Sequence, residues 1–309
     1  MKHLKTLITL AIGVILLAAL LYSIGIGAIA GLLSKTNILM FVAAGIAYTI
    51  TEFMLALKLK ITVPELSVKQ IFLSSQGGMF FSNLTPGRAG YFYAAYSLAK
   101  KVQSSISEKL GLITLVQGLM MAMKVITLVI AFAYFSTFVT LPASLWIAFI
   151  IPIAIVLLCV FILYTKVSHA VLARIPLLNR VVKYLDLMQS SAKAVSRKKM
   201  AQMFALDFLG WFFIGWQFYF LANALGIPMP YLTAFMLQPL LSAMMFIPIS
   251  PAGLGLAEGG NVIIFLLLGF TAPQAIGFAL LWRINNIVFD GITGIWDLRI
   301  VKLPERWSI

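Results

Sequence analysis

Long apolar runs alternate with short basic stretches along this chain of 309 residues. Six runs approach or reach the ~20 residues that cover a bilayer core: Leu7–Tyr22, Ile38–Leu57, Leu110–Tyr134, Ala143–Tyr164, Met203–Leu225 and Pro273–Trp296. The pattern predicts a membrane-spanning helix at each. The first run follows Lys2 and Lys5, and Ala28-Ile29-Ala30 after it resembles a signal-peptidase site. Its apolar stretch exceeds the usual signal-peptide core, so a retained span is the expectation.

Two further apolar segments are interrupted. Ile71–Phe81 and Tyr91–Ala99 flank the first break, and Leu232–Ile247 and Leu256–Phe270 flank the second. The breaks carry related sequences, Thr85-Pro86-Gly87-Arg88-Ala89-Gly90 and Ser250-Pro251-Ala252-Gly253-Leu254-Gly255. Pro and Gly free backbone polar groups at membrane depth, which are tolerated only inside protein or beside a polar cavity. At ~1.5 Å per residue, the Ile71–Phe81 arm reaches roughly 16 Å, about half of a ~30 Å core. Each broken segment is therefore expected to be a re-entrant helical hairpin with its Pro-Gly tip near the midplane.

Charge placement orients these elements. With six spans, two hairpins and both termini inside, Lys35 lies outside and Arg88, Lys124 and Arg283 lie at membrane depth. The rest of the 23 Lys and Arg is cytoplasmic. A single crossing by the first broken segment puts the basic loop from Lys166 to Lys199 outside, against that rule. The hairpins then enter from opposite faces as an inverted repeat, with halves at roughly 38–135 and 203–296. The linker 165–200 carries Ile175, Leu178, Val182, Leu185 and Met188 among Arg180, Lys183 and Lys193. It reads as an amphipathic helix lying on the cytoplasmic leaflet or, alternatively, as a connector packed on the bundle.

Composition narrows the class. The chain is 62% hydrophobic and 10% charged, with mean hydropathy +1.03. The fold class expected is an all-α polytopic membrane protein forming one domain over 1–309, in the cell (plasma or inner) membrane. The net charge of +14 sits between apolar spans. It speaks for topology and anionic lipid headgroups rather than nucleic acid. One cysteine, Cys159, permits no internal disulfide. His3 and His169 do not make a histidine metal site, and no cofactor is expected. The nine acidic residues contain no Asp-x-Asp pair and there is no P-loop, which counts against a metal-dependent transferase or an ATP-driven pump.

Candidate chemistry lies in the polar residues at membrane depth, which are costly there and face a cavity or one another. Arg283, Asn286 and Asp290 recur at i, i+3 and i+7 on one helix face, and Glu258 and Asn261 follow the second break. Glu258–Arg283 and Lys124–Asp290 are expected ion pairs, either locking the bundle or lining a path. Arg88 beside freed amides makes an anion site, or else bonds the carbonyls freed by Pro86 and Gly87. Asn83, Ser82 and Thr85 are suited to cap the same break. Glu52 and Asp207 lie nearer span ends, where snorkelling to water accounts for them. The expected path lining is Asn83, Thr85, Pro86, Gly87, Arg88, Gly90, Lys124, Pro251, Gly253, Gly255, Glu258, Asn261, Arg283, Asn286 and Asp290.

The Thr-Pro-Gly-Arg-Ala-Gly break with its Ala-Tyr-Ser-Leu helix, and the later Ile-Ser-Pro-Ala-Gly-Leu-Gly-Leu-Ala-Glu-Gly, resemble the two signatures of the lysylphosphatidylglycerol synthase transmembrane family. The resemblance implies a helical membrane domain with two re-entrant hairpins that moves lipids between leaflets. In two-domain members a separate soluble domain makes the aminoacyl-lipid. No such domain is expected after Trp296, so synthase activity is not carried over. The sequence departs from the signatures at Ala252, Ala257, Tyr91 and Ala94, where a Gly and three charged residues are usual. The expected function is flippase- or scramblase-like translocation of a phospholipid, aminoacyl-lipid or polyprenyl-phosphate-linked lipid. Arg88 and Arg283 would hold the phosphate, and Glu258 and Asp290 would balance or gate it. The alternatives are an ion-coupled carrier for a small solute and a membrane-embedded transferase. Expected partners are membrane lipids with anionic headgroups, a separate lipid-modifying enzyme and further copies of the chain.

Overall fold

A computed structural model describes residues 22, 26–84, 90–137, 139–140, 147–165, 179–244 and 255–300. Regular structure among them is helical throughout: α1 (Ile26–Leu33), α2 (Ile38–Thr62), α3 (Val68–Leu84), α4 (Gly90–Val102), α5 (Ile106–Phe135), α6 (Ile147–Tyr164), α7 (Asn179–Lys193), α8 (Arg197–Ala224), α9 (Tyr231–Met244), α10 (Leu256–Leu267) and α11 (Ala272–Ile300). Helices α2, α5, α8 and α11 are long and apolar enough to cross a membrane. Leu39, Ile150, Leu157 and Ile292 on their outer faces and on α6 are mostly exposed. In water such exposure would be an aggregation hazard, but in a bilayer it is the lipid-facing surface.

Polar side chains set the helix starts. Asn37 accepts the Met40 N–H at the head of α2. Ser67 and Gln70 form a reciprocal cap on α3, and Thr271 and Gln274 do the same for α11. The Ser67 cap begins α3 three residues before the expected Ile71, and the helix runs on to Leu84, for 17 residues in all. The first arm is therefore about 26 Å long rather than roughly 16 Å. Its return, α4, runs 13 residues. In the second broken segment α9 has 14 residues and α10 has 12. Gly269, with φ +82°, ends α10 before the expected Phe270.

The two arms of the first segment are antiparallel. The Gln70 carbonyl accepts from Lys101 Nζ at 3.3 Å, and the Ser74 and Ser97 hydroxyls lie 2.8 Å apart. Further along, Gly78 faces Gly90 and Ala94. A Cβ on Gly90 would overlap the Gly78 carbonyl oxygen, so the arms approach backbone to backbone, as small residues allow in membranes. On the opposite side of α3, Gly294 of α11 packs on the Gln76 backbone, where a Cβ would come within 2.7 Å of its carbonyl oxygen.

The broken segments belong to different apolar cores. Ile71, Ala94, Ala95 and Leu98 of the first pack with Leu112, Val116 and Met203. Leu237, Leu240, Leu241, Ile264 and Phe265 of the second pack with Phe218, Phe278 and Trp282. Helices α2 and α8 pack closely along their lengths, with the Thr51 hydroxyl donating to the Gly210 carbonyl at 3.2 Å.

The linker carries the expected amphipathic helix, but protein covers part of its buried side. Leu185, Gln189 and Ala192 of α7 are buried against α5 and α6. Gln189 Nε2 donates to the Ile162 and Thr165 carbonyls at 2.8 and 3.1 Å, and Ser191 donates to the Glu108 carbonyl at 3.1 Å. Carbonyls left open at the end of α6 thus draw α7 onto the bundle, with the Ser191 bond to α5 added to them. Ile175 and Leu178 lie outside the described residues.

Candidate functional site

A cavity of about 150 Å³ lies among seven helices between the two apolar cores. Helix α2 contributes Tyr48, Glu52 and Lys58, α3 contributes Asn83, and α5 contributes Gln117 and Lys124. Helix α8 adds Asp207, Trp211 and Gln217, α9 adds Gln238, and α11 adds Trp282 and Asn286. Tyr48 and Lys58 are about 15 Å apart along α2, so the polar wall extends through a large part of a membrane thickness.

Four ionisable side chains meet in this wall. Lys58 and Asp207 form an ion pair with side chains 3% and 7% exposed. Lys124 adds positive charge near Asp207, and Glu52, buried on the same helix as Lys58, lines the same cavity. Sequence reasoning assigned Glu52 and Asp207 to snorkelling. The structure places both in the cavity wall, and the ammonium of Lys58 on the facing helix gives Asp207 a closer partner than water. Lys58 was counted only as a topological charge, and nothing local in the sequence joins two residues 149 positions apart.

Asp290 sits at the rim, wholly buried. Its carboxylate accepts from Tyr48 Oη at 2.9 and 3.0 Å and from Asn83 Nδ2 at 2.7 Å. Tyr48 and Asn83 line the cavity, and so does Lys124. One turn along α11, Asn286 Oδ1 accepts from Gln217 Nε2 at 2.8 Å. Gln217 Nε2 also donates to Asn285 Oδ1 at 3.0 Å, while Asn285 Nδ2 donates to the Phe41 carbonyl at 2.9 Å. Trp211 has a different task. Pro239 inside α9 has no N–H for the Phe235 carbonyl, and the Trp211 indole donates to that carbonyl at 3.3 Å.

The second break builds a separate structure. Gly255 enters α10 with φ +83°, a conformation suited to glycine. Its N–H donates to Glu258 Oε2 at 2.7 Å, and Arg283 donates to Glu258 Oε1 from Nε at 2.9 Å and Nη2 at 2.7 Å. Glu258, 1% exposed, thereby caps its own helix and ties it to α11. Neither residue is among those lining the cavity. Asn261 is also 1% exposed, and its amide has no protein partner at either atom among the described residues. Thr85, Pro86, Gly87, Arg88, Pro251 and Gly253 lie outside the described residues.

A second buried charge cluster lies near the far end of α11. Asp297 accepts from Tyr93 Oη at 2.9 Å and Ser97 Oγ at 2.8 Å, and it pairs with Lys101. Lys101 also donates to Ser74 Oγ at 2.7 Å. Sequence reasoning gave Asp297 no role. The signal was there, because Asp297 follows Asp290 by seven residues and so continues the polar stripe of Arg283, Asn286 and Asp290.

Residues 6–294 match the family described as the lysylphosphatidylglycerol synthase TM region. The chain belongs to that family. It is a multi-pass membrane protein, as the four long apolar helices among the described residues also indicate. A UPF0104 membrane protein of Methanocaldococcus jannaschii is 26% identical over 74% of this chain and 99% of its own length. One of Methanothermobacter thermautotrophicus is 26% identical over 96% of this chain and 95% of its own.

Proposed function

We propose that the protein translocates lipids between leaflets, passing the polar headgroup along the cavity while the chains stay in the bilayer. The observation that carries this reading is the grouping of Glu52, Lys58, Lys124 and Asp207 in one cavity among apolar spans. Four ionisable groups gathered among apolar spans are expensive, and a translocated polar group is a reason for their retention. Met79, Met120 and Met123 in the same wall add adaptable apolar surface suited to a lipid of variable shape. The role is transport rather than catalysis, in the cell membrane, with both termini cytoplasmic. The two broken segments act as hairpins entering from opposite faces, as the charge distribution favours.

Liposomes holding the purified chain and a leaflet-specific fluorescent phospholipid test the reading. Faster loss of probe protection than in protein-free liposomes is expected. No movement across a panel of phospholipids, aminoacyl-lipids and polyprenyl-phosphate lipids would overturn it. A second reading is ion-coupled solute transport, favoured by the buried Asp290 carboxylate with its neutral donors Tyr48 and Asn83. That reading requires uptake driven by a proton or sodium gradient and abolished by Asp290→Asn.

A further inference from the structure

The cavity holds more hydrogen-bond acceptors than its own donors satisfy. Among the described residues, Asp207 Oδ2, Gln117 Oε1 and Gln217 Oε1 have no protein partner. All three residues line the cavity. The Gln217 orientation follows from its neighbours. Asn285 must donate to the Phe41 carbonyl, so its oxygen faces Gln217 Nε2, and the Gln217 oxygen is the atom left over. Gln217 is wholly buried, and the Asp207 side chain is 7% exposed. Leaving such groups unpaired is costly, so they mark where donors from outside the chain belong. Water meets this need when the cavity is hydrated.

The charges say which donors replace water best. Lys58 and Lys124 are matched in number by Glu52 and Asp207 in the cavity wall. An added ammonium or phosphate would upset that match within the lining, and the Asp290 carboxylate at the rim already accepts from Tyr48 and Asn83. Two of the three open acceptors are neutral amide oxygens, which suit O–H donors as well as N–H. Trp211 and Trp282 add apolar surface to the same wall, of the kind that packs on the C–H face of a sugar or cyclitol, with one face of Trp211 stacked on Phe235. We infer that the cavity recognises a hydroxyl-rich headgroup, a sugar or polyol ring, in preference to a bare phosphate or an ammonium headgroup. This rests on the lipid-translocation reading for the ring's attachment to a lipid.

Binding tests the inference separately from movement. The full-length protein in detergent is titrated with four lipids of identical acyl chains: glucosyl-diacylglycerol, phosphatidylinositol, phosphatidic acid and phosphatidylethanolamine. Tryptophan fluorescence reports occupancy. At least one ring-bearing lipid is expected to bind about tenfold or more tighter than phosphatidic acid and phosphatidylethanolamine, as two satisfied acceptors would give. Comparing the two ring-bearing lipids shows whether the ring is taken directly or through a phosphate. Gln217→Met and, independently, Gln117→Met should each reduce the preference about threefold or more. Equal binding of all four, tightest binding of phosphatidylethanolamine, or a preference unchanged in both folded variants overturns the inference. Ring preference without movement in liposomes supports it while rejecting translocation, whereas movement without ring preference rejects it alone.

Discussion

The two broken segments share a Pro-Gly motif and a common neighbour in α11, yet they are held by different forces. The first has alanine and glycine between its arms and is pinned to α11 by Asp290 and Asp297 through Asn83, Tyr93, Ser97 and Lys101. The second is filled with Leu237, Leu240, Leu241, Ile264 and Phe265, with the Glu258–Arg283 pair as its described ionic tie. Hydrogen bonds and ion pairs beside a polar cavity can be exchanged for bonds to water or a headgroup. A packed apolar core has no such substitute. The first segment also lines the cavity, with Met79, Asn83 and Tyr91, whereas Gln238 is the second's contribution among the described residues. Equivalent motifs therefore need not have equivalent tasks. The first borders the cavity through exchangeable polar bonds, and the second sits in a packed apolar core.

Substitutions can break this contrast. Phe265→Ala, in the second segment's core, should cost about 3–5 kcal/mol, read as a lowered midpoint of thermal unfolding in detergent. Asp297→Ala should cost about 2–4 kcal/mol, because it leaves the partly buried Lys101 without its counter-ion and Tyr93 and Ser97 without their acceptor. The sharper observation is rescue. Adding Lys101→Met to Asp297→Ala should restore much of that loss, since both charges are then gone, and no second substitution of that kind repairs Phe265→Ala. Rescue of neither would place both segments in the same class.

Gly90→Ala should lower stability by about 1–3 kcal/mol, because the new methyl group overlaps the Gly78 carbonyl and must push the arms apart. Tyr48→Phe removes one donor from Asp290 and leaves Asn83 in place, so a smaller loss of about 1.5–2 kcal/mol is expected. A loss from Tyr48→Phe exceeding that from Asp297→Ala would show that the pin at the cavity rim dominates the first segment.

Much of this frame is legible in the residues. Spans show because ~20 apolar residues in a row have few other uses. The α11 stripe shows because a helix repeats every 3.6 residues, and Glu258–Arg283 stands out because few charges lie at that depth. Helix starts at Ser67-x-x-Gln70 and Thr271-x-x-Gln274 are local signals as well. What hid was long-range. Lys58 with Asp207, and Lys101 with Asp297, join residues far apart in sequence, and each lysine also reads naturally as a topological charge. The open acceptors on Gln117 and Gln217 are invisible until their neighbours are placed, since an amide in a span shows neither its partner nor its lack of one.

Under the proposed function a headgroup crosses through the cavity beside Lys124. That crossing is tested most directly by the rate of leaflet exchange in liposomes for the unchanged chain and for Lys124→Met, at equal protein and matched thermal stability. Exchange well above protein-free liposomes is expected, slowed about tenfold or more in the variant, as a loss of ~1.4 kcal/mol at the barrier would do. Equal rates for the two proteins, or no exchange above the protein-free rate, would contradict it.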